Sequence, residues 1–239
     1  MRSASLNWAR HFALGLATLL KASAAIGPTA AQAQDDLQLH SLKSLSGYTA
    51  TVIDSQNEAR KIYNELPLNI FKSKSQCHQR AHYWSVGLEK NKKIRSLKAY
   101  IFFTDRYNRE FDYDWDYHVA PALVVHDSGK HQVLVLDPTF VSAPRNATAE
   151  EKMRFHNGPV TLSEWADYFV FPTKDRNFHC PIIDEYRQFS RFQELHYCYI
   201  LLTPMYNYIP DSLAVETSPR TEWRTGDLRE MLNGLISRP

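Results

Sequence analysis

Apolar residues recur along the chain at two spacings. Ala59, Ile62, Tyr63 and Leu66 fall three or four apart, which places them on one face of a helix. Ser55-Gln56-Asn57-Glu58 ahead of them is a capping box, and Pro67 stops the helix. A second helix is expected from about Ser75, with Cys77, Ala81, Trp84 and Leu88 along one face. Lys98–Thr104 (KAYIFFT) reads as a strand. Tyr117–Val125 and Gln132–Asp137 are apolar, β-branched runs on either side of Asp127-Ser128-Gly129-Lys130, the pattern of a hairpin. Thr161-Leu162-Ser163-Glu164 is a second capping box, before Trp165, Ala166 and Phe169. Tyr197–Thr203 (YCYILLT) is a further strand, and Leu228, Met231, Leu232, Leu235 and Ile236 form a last helical stripe. Helices followed by mostly antiparallel strands give an α+β class. Each apolar stripe is read as core.

The N-terminus changes this picture. Arg2 and Arg10 precede an apolar stretch from Phe12 to Leu20, and small residues follow up to Ala31-Gln32-Ala33. That is the form of a signal peptide, cleaved after Ala33. The expected organisation is a signal peptide over 1–33 and a single domain over 34–239, secreted or periplasmic, with no membrane association after removal of the signal. The signal segment also accounts for the basic charge. The net charge of +2 includes +3 from Arg2, Arg10 and Lys21, so the remainder carries −1. Nucleic-acid binding needs a clustered basic surface. The body offers only Lys90–Lys93 with Arg95 and Lys98, read as a solvated helix end, and no nucleic-acid partner is expected. No GxGxxG or GxxxxGK[ST] cradle is present, and no cofactor is expected. Three cysteines in an exported chain leave one thiol over. Cys180 and Cys198 are near enough to close a short loop, leaving Cys77 free.

Cys77 therefore becomes the candidate for chemistry. A cysteine in the first turn of a helix sits among unpaired N–H groups and partial positive charge, which favour thiolate over thiol. A thiolate in acyl transfer needs an imidazole, and the imidazole needs an orienting acceptor. The hairpin supplies both. With a two-residue turn at Ser128-Gly129, paired numbers sum to 257, so Asp137 falls opposite Ala120 and on the same face as His118. A three-residue loop would put the two on opposite faces. Pro138 ends the strand at Asp137.

The segments Ser75-Gln76-Cys77-His78-Gln79-Arg80-Ala81-His82, Trp115-Asp116-Tyr117-His118-Val119-Ala120-Pro121 and Val135-Leu136-Asp137-Pro138-Thr139-Phe140 resemble the bacterial protein-glutaminase family. A weaker likeness runs through Thr161–Trp165. The resemblance implies a papain/transglutaminase-like core and a secreted protein-glutamine deamidase. Cys77 is then the nucleophile, His118 the general base and acid, and Asp137 the orienting carboxylate. The expected partner is a protein or peptide with an accessible glutamine. Family members are zymogens with a long pro-region, whereas about 43 residues separate Ala33 from Cys77 here, too few for a large prodomain.

Other readings share some of these residues. A cysteine peptidase or a transglutaminase would use the same Cys77, His118 and Asp137. His78 and His82 stand four apart, as zinc ligands do. The residue after His78 is Gln79 rather than the Glu of a metalloprotease, so the pair is read as surface histidines and no metal is expected. A non-catalytic exported binding protein would carry no hyper-reactive cysteine.

Overall fold

The computed structural model describes residues 39–68, 76–112, 114–138, 158–170 and 179–208. The signal segment and the C-terminal stripe at Leu228–Ile236 lie outside the described residues.

Ser55 caps α1 (Gln56–Asn64), its side chain accepting from the Glu58 N–H, as the capping box requires. The helix ends at Asn64, three residues before Pro67. The Pro67 carbonyl instead accepts from the Trp84 indole N–H at 3.0 Å, tying this connection to the next helix. That helix, α2, spans Cys77–Lys92, with Gln76 as its cap; the Gln79 side chain accepts from the Gln76 N–H at 2.8 Å. Cys77 is thus the first helical residue. A short α3 (Asp105–Phe111) is capped by Thr104. The Thr161–Glu164 box also forms, with reciprocal bonds of 2.9 and 3.2 Å opening α4 (Leu162–Val170).

The strands are β1 (Val52–Ile53), β2 (Leu97–Phe103), β3 (Tyr117–Asp127), β4 (Lys130–Val135), β5 (Val160–Thr161), β6 (Ile182–Ile183) and β7 (Cys198–Pro204). They form one sheet in the order β5-β4-β3-β2-β7-β6, with β1 pairing β3. The four longer strands pair antiparallel, and two-residue β1 and β6 pair parallel. The class is α+β, with the cysteine-bearing helix packed on a mostly antiparallel sheet.

Both faces of the sheet are covered, which explains why its strands read as unbroken apolar runs. On one face α1 and α2 bring Ala59, Ile62, Trp84 and Leu88 against Leu123, Val125 and Leu134. On the other, α4 brings Trp165, Ala166 and Phe169 against Ala120, Ala122, Val133 and Val135.

Two expectations are corrected by this double cover. Lys98 is not part of a solvated basic end: it lies on β2 and is 0% exposed. Its Nζ bonds to His82 Nδ1 at 2.8 Å and to the Asn207 carbonyl. His82 is no surface histidine either, since it is 0% exposed on the buried face of α2. Lys90, Lys92 and Lys93 are exposed at the helix end, as expected.

Cys180 and Cys198 form a disulfide, and Cys77 is free. The bridge closes an 18-residue separation ahead of β6 and at the start of β7. Closing a loop of that size contributes about 3 kcal/mol. The Cys180→Ala/Cys198→Ala protein is expected to lose about that much in urea unfolding under oxidising conditions. An unchanged midpoint would show that the bridge contributes nothing to stability.

Candidate active site

The hairpin decides where His118 and Asp137 meet. Ser128 and Gly129 both have positive φ, 52° and 82°, the conformation of a type I′ two-residue turn. Asp127 pairs with Lys130 and Ala122 with Val135, in the register the sequence implied. The ladder stops at Val135, although the Leu136 N–H still donates to the Pro121 carbonyl at 2.8 Å. Asp137 therefore lies two residues past the strand rather than at its last position, because Pro138 turns the chain away. It still shares the α4 face with His118.

His118 Nε2–H donates to Asp137 Oδ2 at 2.8 Å, and the two residues are 4% and 7% exposed. The same oxygen accepts the Trp165 indole N–H at 2.9 Å. With Nε2 so engaged, Nδ1 is the His118 nitrogen that faces Cys77, to which the ring is hydrogen-bonded. Trp115 lies roughly parallel to the His118 ring, with centroids 6.3 Å apart, and is 42% exposed. Phe169 and Trp165 flank the ring from α4.

Cys77 opens onto a cleft of about 460 Å³ lined by α2's first turn and by Asp114–His118. Burial alone would push the Cys77 thiol up. Hydrogen bonds from His118 and from His78 outweigh burial and bring it down to about 6. Burial would also push the His118 imidazole down, but the Asp137 carboxylate and then the Cys77 sulfur raise it to about 9. Between these values the pair rests as thiolate and imidazolium. Arg80, on the same turn of α2, adds a positive charge that acts on both Cys77 and Asp137.

The thiolate is the species that alkylates, so the sign of the pH dependence follows. Iodoacetamide labelling of Cys77 should rise through about pH 6, against roughly 8.5 for an unperturbed thiol. A midpoint near 8.5 would mean that neither imidazole bonds to the sulfur.

Cys77, His118 and Asp137 are thus brought together at one end of the sheet. His78 and His82, paired by sequence spacing, are not: His78 lines the cleft, and His82 is buried against Lys98. Among the described residues, no group of three or more His, Cys, Asp or Glu is placed to hold a metal ion. Sequence reasoning missed the Trp165–Asp137 bond, the Trp115 cover and His78 as a neighbour of the thiol. The signals for Trp165 were its place just behind the second capping box and the weaker family likeness through Thr161–Trp165.

Residues 53–153 match the model of a glutaminase family. Over this segment the chain is glutaminase-like. The segment holds Cys77, His118 and Asp137, and the resemblance seen in their flanking sequences is therefore borne out. Trp165 lies beyond it. Among solved structures, the chain is similar to the NMR structure of protein-glutaminase from Chryseobacterium proteolyticum, at 15% identity and TM-score 0.44, covering 80% of this chain and 92% of that one. It is similar also to a crystal structure of protein-glutaminase, at 16% identity and TM-score 0.43, covering 72% and 84%. No curated protein matches.

Proposed function

We propose that the chain is an exported, cysteine-dependent protein-glutamine deamidase with Cys77, His118 and Asp137 as its catalytic triad. The observation that carries the reading is a thiol at the first residue of a helix, in an open cleft, bonded to a buried imidazole that a carboxylate holds at 2.8 Å. The glutaminase-like segment supports the choice of a carboxamide as acyl donor.

The Cys77 thiolate attacks the side-chain carboxamide carbon of a glutamine. The C–S bond forms and the carbonyl electrons move onto oxygen. The Cys77 backbone N–H, at a helix start and so outside the helix ladder, is the first donor to that oxyanion. As the adduct collapses, the C–N bond breaks and the His118 Nδ1 proton goes to the leaving nitrogen, releasing ammonia. Neutral His118 then takes a proton from water as its oxygen attacks the thioester. The C–S bond breaks, glutamate leaves, and thiolate and imidazolium are restored. No step calls on a cofactor or metal.

Export is part of the same reading. The signal pattern over 1–33 leaves a single catalytic domain over 34–239, and the Cys180–Cys198 bridge suits an oxidising compartment, secreted or periplasmic. N-terminal sequencing of exported material should begin at Gln34.

The deciding experiment is incubation with a glutamine-bearing protein, read by ammonia release and intact mass. Deamidation predicts a gain of about one dalton per glutamine with the backbone uncut, water being the acyl acceptor. Backbone cleavage would favour a peptidase, and incorporation of an added amine a transglutaminase.

A further inference from the structure

The cleft holds a second imidazole that the acyl-transfer scheme leaves unused. His78 follows Cys77 on α2 and lines the same cleft. Its Nδ1 lies 3.2 Å from the Tyr117 hydroxyl on β3. Tyr208, just past β7, meets its ring edge-on at 5.1 Å. The ring is therefore held between β3 and the segment after β7, on the cleft it shares with Cys77, and it helps to lower the Cys77 thiol.

The Tyr117 bond bears on the tautomer. A phenol donates through its O–H, which fits an acceptor Nδ1 on His78. A neutral imidazole accepting at Nδ1 carries its proton on Nε2, the nitrogen left for the sulfur. We propose that His78, its tautomer set by Tyr117, is a second hydrogen-bond donor to Cys77 Sγ that stabilises the thiolate both when sulfur attacks and when it departs from the thioester. This rests on the thiol acyl-transfer reading above.

The reaction itself creates the need. His118 is charged when sulfur attacks, but it is neutral once ammonia has left. Sulfur must later depart as thiolate, and a donor that keeps its own proton throughout serves both steps. Other groups also face this corner. His118 comes from β3, Arg80 from α2, Asp114 and Asp116 from the segment before β3, and Asp137 from beyond β4. Each is unchanged in the variants below, so a shift in the profile reports on His78.

The test is the pH profile of iodoacetamide labelling of Cys77 in the disulfide-bonded protein, run beside kcat and KM on a glutamine-bearing protein. His78→Phe keeps an aromatic ring against Tyr208 but cannot donate. Its acid limb should move up by about one pH unit, the size of one charge-assisted hydrogen bond. Its kcat should fall about tenfold with KM little changed. His78→Gln, which has an N–H to offer, should recover part of both. Tyr117→Phe should move the limb the same way by less. A limb unmoved in a natively melting His78→Phe protein overturns the proposal. If His78→Phe does not fold, an unmoved limb in Tyr117→Phe does so. A wild-type limb near pH 8.5 would instead sink the acyl-transfer reading itself, and so the two failures differ.

Discussion

Cys77→Ala protein should release no measurable ammonia from a glutamine-bearing protein while keeping its fold. Loss of the nucleophile from a hydrolytic triad costs on the order of 10⁶ in kcat. The residual activity of such variants comes from the oxyanion donors and substrate binding, which cannot replace the covalent step. Structural damage is not expected. Cys77 is half-buried at the first position of α2, alanine is the best helix former, and the disulfide is elsewhere. Melting temperature should therefore stay close to wild type, while the acid-quenched thioester adduct disappears from the mass spectrum. Undiminished ammonia release from this variant would remove the thiol mechanism, whatever the geometry of the cleft.

Much of this cleft is legible in the amino-acid sequence, and the reasons are local. Two glycine-compatible positions at Ser128 and Gly129 fix a tight turn. A tight turn fixes register, and register with period-two alternation fixes that His118 and Asp137 share a face. Capping boxes placed the starts of α1 and α4 by the same short-range logic. The cysteine pairing followed from an odd count and a short separation.

The features that are not legible depend on residues distant in sequence. His82 sits four positions from His78, a spacing shared by exposed and buried helix faces alike. Its burial depends on α2 lying over β2, where Lys98 points its Nζ at the ring. Nothing in the local pattern marks a lysine as buried when its partners are on α2 and at Asn207, 109 positions away. The Trp165–Asp137 bond spans 28 residues and a change of element. β1 and β6, at two residues each, are too short for any periodicity to register. Their parallel pairing comes from the crossovers that carry the chain across the sheet.

The carboxylate is where the electrostatics of the site can be put to its hardest test. Asp137→Asn should preserve the fold, because the asparagine oxygen can still accept from both the His118 and Trp165 N–H groups that converge on Oδ2. What it loses is charge. His118 is almost wholly buried, and burial by itself lowers an imidazole; the Asp137 carboxylate is the largest influence holding it up at about 9. Without that charge the imidazole falls back, and the thiolate loses the cation that keeps it at about 6. Thiol and neutral imidazole then become the resting state, and the thiol must pass its proton to a less basic His118 before sulfur can attack. An Asp→Asn change in the analogous serine triad lowers kcat about 10⁴-fold. A loss of about 10³–10⁴ is expected here, since a thiol ionises more readily than a hydroxyl. Three readouts should move together: kcat down, the acid limb of Cys77 labelling up towards the free-thiol range, and the basic limb of kcat against pH down from about 9. A loss of less than tenfold, with the labelling profile in place, would mean that His118 does not take its charge from Asp137 and that the two are neighbours in the core rather than partners in the reaction.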